Sequence, residues 1–133
     1  MNALYDYGRE GFLDGSISWT TSDVRVMLVR DTYTFSAAHQ FVSDLGAVDN
    51  GRSGALTGKS ATDGVADAAD VSLFASNTAT CDALILFVHT GLDASARLIV
   101  YLDSASAGLP VSPLAGQGVD VVWDNGADRI FRL

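Results

Sequence analysis

The chain carries one cysteine, Cys81, one lysine, Lys59, one glutamate, Glu10, two histidines, two prolines and no apolar run of membrane length. A lone thiol excludes an intrachain disulfide and a cysteine-based zinc site. Cys81 stands just before the apolar run Ala83 to Val88, the place of a small half-buried thiol at a strand entrance. Neither His39 nor His89 lies in the sequence context of a cysteine hydrolase. A membrane-spanning helix needs about 20 consecutive apolar residues, and none is present. Met1 to Gly15 carries Asp6, Arg9, Glu10 and Asp14 where a signal peptide requires an apolar core, so synthesis and initial residence in a cytoplasm are expected. With a single glutamate and fifteen aspartates gathered at turns and strand ends, no glycosidase-like carboxylate pair stands out.

Basic residues are also scarce. Eight Lys and Arg face sixteen Asp and Glu, for a net charge of -8, and seven of the eight cations are arginines. Binding to a nucleic-acid backbone needs clustered cations, so a DNA or RNA contact is not expected. An acidic surface favours solubility and repels polyanions. What the chain has in quantity is apolar residues, 48% against 18% charged, enough to order 133 residues as one domain, 1–133.

The hydrophobic pattern predicts a mainly β fold, an antiparallel sandwich or barrel, with an N-terminal helix and one short additional helix. Residues 1–15 form a helix or arm and 16–133 a β-rich body. Asn2 is placed to cap a helix from about Ala3 to Leu13 that Gly15 ends, with Gly8 and Gly11 weakening it by about 1 kcal/mol each. Ile17 to Trp19 and then Val24 to Val29 alternate in the strand sense, with Val24, Val26 and Leu28 on one side and Arg25, Met27 and Val29 on the other. Ser36 opens a second helix of two to three turns over Ala37 to Leu45, stopped by Gly46. Asp49-Asn50-Gly51 reads as a turn. A strand near Ala55 to Thr62 meets Val65 across the turn Asp63-Gly64, and after a break at Asp67 to Asp70 the pattern resumes over Val71 to Ala75. Ala83 to Val88, Arg97 to Asp103, Val119 to Trp123 and Arg129 to Leu133 complete the strands, the last pair joined at Asn125-Gly126, and Leu133 is expected inside the fold.

Each apparent chemical motif has a plainer reading. Gly54 to Ser60 is one residue short of the phosphate-binding pattern GxxxxGK followed by Ser or Thr, and no helix follows it, so Lys59 reads as a charge guarding an edge strand. Asp63, Asp67 and Asp70 suggest a surface calcium site by carboxylate density but lack EF-hand spacing; a turn at Asp63-Gly64 and a kink at Asp67 to Asp70 explain them without a metal. No GxSxG marks a serine nucleophile for His39 or His89. Trp19, Trp123 and the tyrosines Tyr5, Tyr7, Tyr33 and Tyr101 could form a sugar-stacking surface, but Trp123 closes a strand and Tyr101 lies within one, which favours packing.

Three blocks carry a resemblance: ALYDYGREGFLDGSISW at Ala3 to Trp19, ALTGKSATDGVADAADVSL at Ala55 to Leu73, and LPVSPLAGQGVDVVWDNGADRIFRL at Leu109 to Leu133. Together they resemble small virion structural proteins of tailed bacteriophages, of the capsid decoration, or cement, type. The resemblance implies a non-enzymatic protein, made in the host bacterial cytoplasm, that binds the outside of the head shell and stabilises it. Its partners would be the major capsid protein and its own copies, a trimer being the expected oligomer, with no catalytic, cofactor or metal residues. The interface would draw on Leu4, Tyr5, Tyr7, Phe12 and Trp19 from the N-terminal segment, which orders on contact. From the final strand it would draw on Arg129, Ile130, Phe131 and Leu133 through strand addition. A tail or head-tail connector component, and a receptor- or glycan-binding module, are the alternative readings.

Overall fold

The computed structural model describes residues 2–105, 107–127 and 129–133. The fold is mainly β, with antiparallel sheets and one α-helix near the N-terminus. In chain order the elements are β1 (Asn2–Leu4), α1 (Asp6–Asp14), β2 (Val24–Arg30), a 3-10 turn at Val42–Leu45, β3 (Asp49–Arg52), β4 (Ser60–Thr62), β5 (Val65–Asp67), β6 (Val71–Phe74), β7 (Cys81–Val88), β8 (Leu98–Leu102), β9 (Gly118–Val121) and β10 (Phe131–Arg132). They form a five-stranded sheet β1-β8-β7-β2-β3, a three-stranded sheet β10-β5-β4 and the pair β6-β9, and no closed barrel arises among the described residues.

Apolar side chains bury both faces of the five-stranded sheet. Directly opposed residues Val26, Leu86 and Val100, and next to them Leu28, Leu84 and Leu102, form rows on one face; Met27, Ile85 and Tyr101 form a row on the other. The first face packs against Leu73, Val121, Ala66 and Phe131 from the two smaller sheets and against Trp123 and Ile130 just outside them. The second is covered by Tyr5, Tyr33, Val42, Leu45 and Val48. Burial on both sides explains why β7 reads as an almost unbroken apolar run.

The N-terminus departs from expectation. Asn2 caps no helix; it lies in β1, paired to β8, and its side-chain oxygen accepts bonds from the Asp103 and Ser104 amides at 3.1 Å each. The helix starts only at Asp6, after an extended Tyr5, and Gly15 ends it in the left-handed conformation with φ 83°. Gly8 and Gly11 are buried contact points on the helix face: an added Cβ at Gly8 would come within 2.7 Å of the Ile99 carbonyl oxygen. Arg97 ties this helix down, its guanidinium donating to the Tyr7 carbonyl (3.1 Å) and the Ser16 hydroxyl (3.0 Å).

Three further expectations change. Ile17 to Trp19 is irregular rather than strand, and both residues point into the core. The helix predicted from Ser36 is only the four-residue 3-10 turn, because the Asp44 carboxylate accepts the Gln40 and Phe41 amides at 2.9 Å each and holds them out of a longer helix. Asp49 to Arg52 is not a turn but β3, in which Gly51, φ 131°, lets the Phe74 carbonyl come so close that a Cβ there would meet it at 2.4 Å. By contrast, Asp63 and Gly64 form the expected two-residue hairpin turn, both with positive φ (55° and 76°).

The break at Asp67 to Asp70 is where the chain leaves one sheet for another. Beyond β5 it crosses to β6, which pairs with β9 and not with the hairpin partner β4. Both tryptophans hold this crossing: Trp19 Nε1 donates to the Asp67 carbonyl at 3.0 Å and Trp123 Nε1 to the Ala69 carbonyl at 3.1 Å. Asp70 completes it by accepting the Trp123 amide at 2.9 Å.

Candidate interaction surface

An apolar hollow of about 290 Å³ opens between α1, the 18–20 segment and the three-stranded sheet. Ala61, Ala66 and Phe131 are directly opposed across β4, β5 and β10 and form one wall. Phe12 of α1 and Trp19 form the other, their rings set against Phe131 at 5.9 Å and 5.2 Å, the Trp19 contact edge-on. Leu133 stands at the hollow with 61% of its surface exposed, its amide bonded to the Gly64 carbonyl at 2.9 Å. Leu13, the residue after Phe12, is 89% exposed. At this size and lining the hollow has room for one or two apolar side chains and lies at the low end of the range for a small-molecule site.

Four of the nine residues expected at an interface therefore converge here: Phe12, Trp19, Phe131 and Leu133. Arg129 lies beside them with φ 41°, its guanidinium 3.3 Å from the Asp67 carboxylate. Tyr5 and Ile130 are core residues on opposite faces of the large sheet. Leu4 is half-buried against the core, and Tyr7 contributes its carbonyl to Arg97. Ala61, Val65 and Ala66 also line the hollow and carried no flag in the sequence beyond the alternation around Asp63-Gly64.

The charged and polar candidates are scattered. Lys59 does not guard an edge: its ammonium turns back to donate to the Ser22 carbonyl, and burial lowers its proton affinity. Asp67 pairs with Arg129, Asp70 accepts the Trp123 amide and Asp63 makes the turn; among the described residues no three His, Cys, Asp or Glu side chains come together to hold a metal. Cys81 is buried in β7 and burial raises its thiol pKa. His39 Nδ1 lies 2.8 Å from the Tyr33 hydroxyl, which in turn meets the Tyr5 hydroxyl at 3.0 Å, a chain of polar groups that runs from the half-buried His39 into the second core cluster. Burial, first of all, and then Tyr33 drive the Tyr5 phenol far above its ordinary range.

Trp19 and Trp123 are only 6% and 7% exposed, with their ring N–H groups committed to backbone, so neither offers an open stacking face. A second hollow, about 320 Å³, lies between Leu28 and Leu84 of the large sheet and Val119 to Val122 at β9, and its lining is mostly apolar, with Gln117 and Asp120 as its polar side chains. Among the described residues no helix is long and apolar enough to cross a membrane. Comparison with protein families, with curated proteins and with solved structures finds no match to this chain.

Proposed function

We propose that this protein is a non-enzymatic structural component of a tailed-phage virion, a decoration protein that binds the outside of the head shell and stabilises it. The observation that carries the reading is the aromatic-walled hollow at Phe12, Trp19 and Phe131, set beside the end strand β10 and the exposed Leu133. An apolar recess next to a strand edge is suited to a protein partner that supplies main-chain pairing and one or two anchoring side chains. The two smaller sheets stacked on one face of the large sheet are read as the second layer of a β-sandwich, a rigid platform for such a recess. The net charge of -8 suits a protein on the outside of a shell filled with nucleic acid. The titratable side chains that could suggest chemistry are dispersed, and several are engaged as caps, ion pairs or core groups.

The test is co-sedimentation of the purified protein with phage heads, tails and host cells. Binding to heads alone is expected, weakened at least tenfold by Leu133→Asp and Leu13→Asp and unchanged by Leu92→Asp, an equally exposed leucine on the loop before β8. Capture by tails would assign the protein to the tail or connector, and capture by cells or polysaccharide to receptor binding; either result overturns the head-surface reading.

A further inference from the structure

We propose that the free edge of β4 is a self-association site, where a second copy of this chain pairs antiparallel about a two-fold axis at Ala61. The inference does not depend on the virion reading above.

β4 ends the three-stranded sheet and pairs only with β5 among the described residues, and Ser60, Ala61 and Thr62 are all exposed. Pair types alternate along an antiparallel hairpin with a two-residue turn. Thr62 and Val65 therefore bond to each other, as do Ser60 and Asp67, and Ala61 directs its N–H and C=O outward. Soluble proteins blunt such edges with a charge, a proline, a bulge or a very short strand, and of these β4 has only its three-residue length. Here the three edge residues are uncharged, and the one lysine beside them is folded back onto the Ser22 carbonyl.

The sequence of this edge is complementary to itself. With Ala61 opposite Ala61 of the second copy, Ser60 faces Thr62, twice over by symmetry, while Lys59 stays engaged by the Ser22 carbonyl and adds no charge pair. Opposed hydroxyl residues stabilise an antiparallel pair, and the central alanines exchange two backbone hydrogen bonds. Any other register breaks this match: a shift by two residues in the sum of paired positions sets Ala61 against Asp63 or Lys59. The pairing also extends the apolar row Phe131, Ala66, Ala61 into the corresponding row of the second copy, so two hollows lie side by side on one face of a six-stranded sheet. A two-fold dimer is favoured over a trimer here because the same strand serves both partners and the new pair is antiparallel like every other pair in the fold.

The mass of the full chain in solution, followed by sedimentation equilibrium over a range of concentrations, is expected to reach twice 13.9 kDa. Ala61→Pro, which removes the N–H at the axis while leaving the β5 side of the hairpin bonded, is expected to remain at the single-chain mass with an unchanged melting temperature. Should that variant unfold, cysteine cross-linking decides. Across the axis the two Ala61 Cα atoms would be about 5.5 Å apart, within disulfide reach, whereas two Thr62 residues would be diagonal neighbours at about 7–8 Å. Ala61→Cys should therefore oxidise to a covalent dimer at least tenfold faster than Thr62→Cys or Leu92→Cys, with the buried native Cys81 silent. A chain that stays single at every concentration, a folded Ala61→Pro variant that still dimerises, or equal cross-linking at all three sites would overturn the proposal.

Discussion

Replacing Gly8 by alanine separates what the sequence says about this helix from what its packing requires. By helix propensity alone the change should stabilise α1 by about 1 kcal/mol, since Gly8 is interior to Asp6–Asp14. In the fold the new methyl would lie 2.7 Å from the Ile99 oxygen, 2.9 Å from the Leu98 oxygen and 3.0 Å from the Ile99 Cα. All three are backbone atoms of β8, a strand paired on both sides, so they cannot rotate aside. Nor is the helix free to back away, because the Tyr5 amide donates to the Ile99 carbonyl at 3.0 Å and Arg97 grips the Tyr7 carbonyl. Overpacking against a fixed backbone belongs at the upper end of its usual cost, about 3 kcal/mol, which leaves a net loss of about 2 kcal/mol after the propensity gain. For a domain of this size that lowers the melting temperature by about 8 °C, read by calorimetry and by urea denaturation with an unchanged m value. Gly11→Ala is the matched comparison: its methyl meets the Ile17 side chain, which can turn, so a smaller loss is expected. A Gly8→Ala protein as stable as the parent, or more so, would refute the docking of α1 on β8.

The buried chain of hydroxyls gives an ordering of effects. Tyr33→Phe strips the fully buried Tyr5 hydroxyl of its partner and should cost about 1–3 kcal/mol, whereas Tyr5→Phe leaves Tyr33 bonded to His39 and should cost less. The double variant is expected to lose less than the sum, and additive losses in a double-mutant cycle would show that the two rings are not coupled. At high pH the sign follows from Tyr101, which burial first and then the Asp103 and Asp82 charges push up to about 12. Its proton leaves the unfolded chain at about 10, so stability is intact below that and falls as pH rises toward 12. Tyrosinate absorbance and circular dichroism followed together should show Tyr101 ionising only as native structure is lost, and full ionisation near 10 in a folded protein would contradict its burial.

Strand positions that alternate were legible because both core faces are apolar: Val24 to Val29 sorts onto its two faces as the pattern requires. The break after Asp67 was visible too, but not its meaning, since a change of sheet and a simple kink leave the same trace in one chain. Misreadings arose where a short polar side chain outcompeted a periodic pattern. Phe41, Val42 and Leu45 have helical spacing, yet Asp44 captures the amides of Gln40 and Phe41 and limits the element to one turn. Asn50-Gly51 carries a turn signature, yet Asn50 is buried with its amide donating to the Asn77 carbonyl at 3.0 Å, and Gly51 is needed for the approach of Phe74. The hollow was half legible: aromatic residues announced Phe12, Trp19 and Phe131, while Ala61 and Ala66 contribute only because the hairpin register sets them in line with Phe131.

The two tryptophans link the fold to the surface it presents. Their indole N–H groups fix the carbonyls of Asp67 and Ala69, and between those anchors the chain must leave β5 after three residues. Because it leaves there, β5 stays short, β6 goes to β9, and the hairpin β4-β5 has β10 beside β5 and, among the described residues, no strand beside β4. Trp19 also presses edge-on against Phe131, so the residue that sets where the chain turns also forms a wall of the hollow. A buried tryptophan here thus shapes the surface mainly from within: it exposes little of itself, but it determines which strand edges and which recess the fold presents.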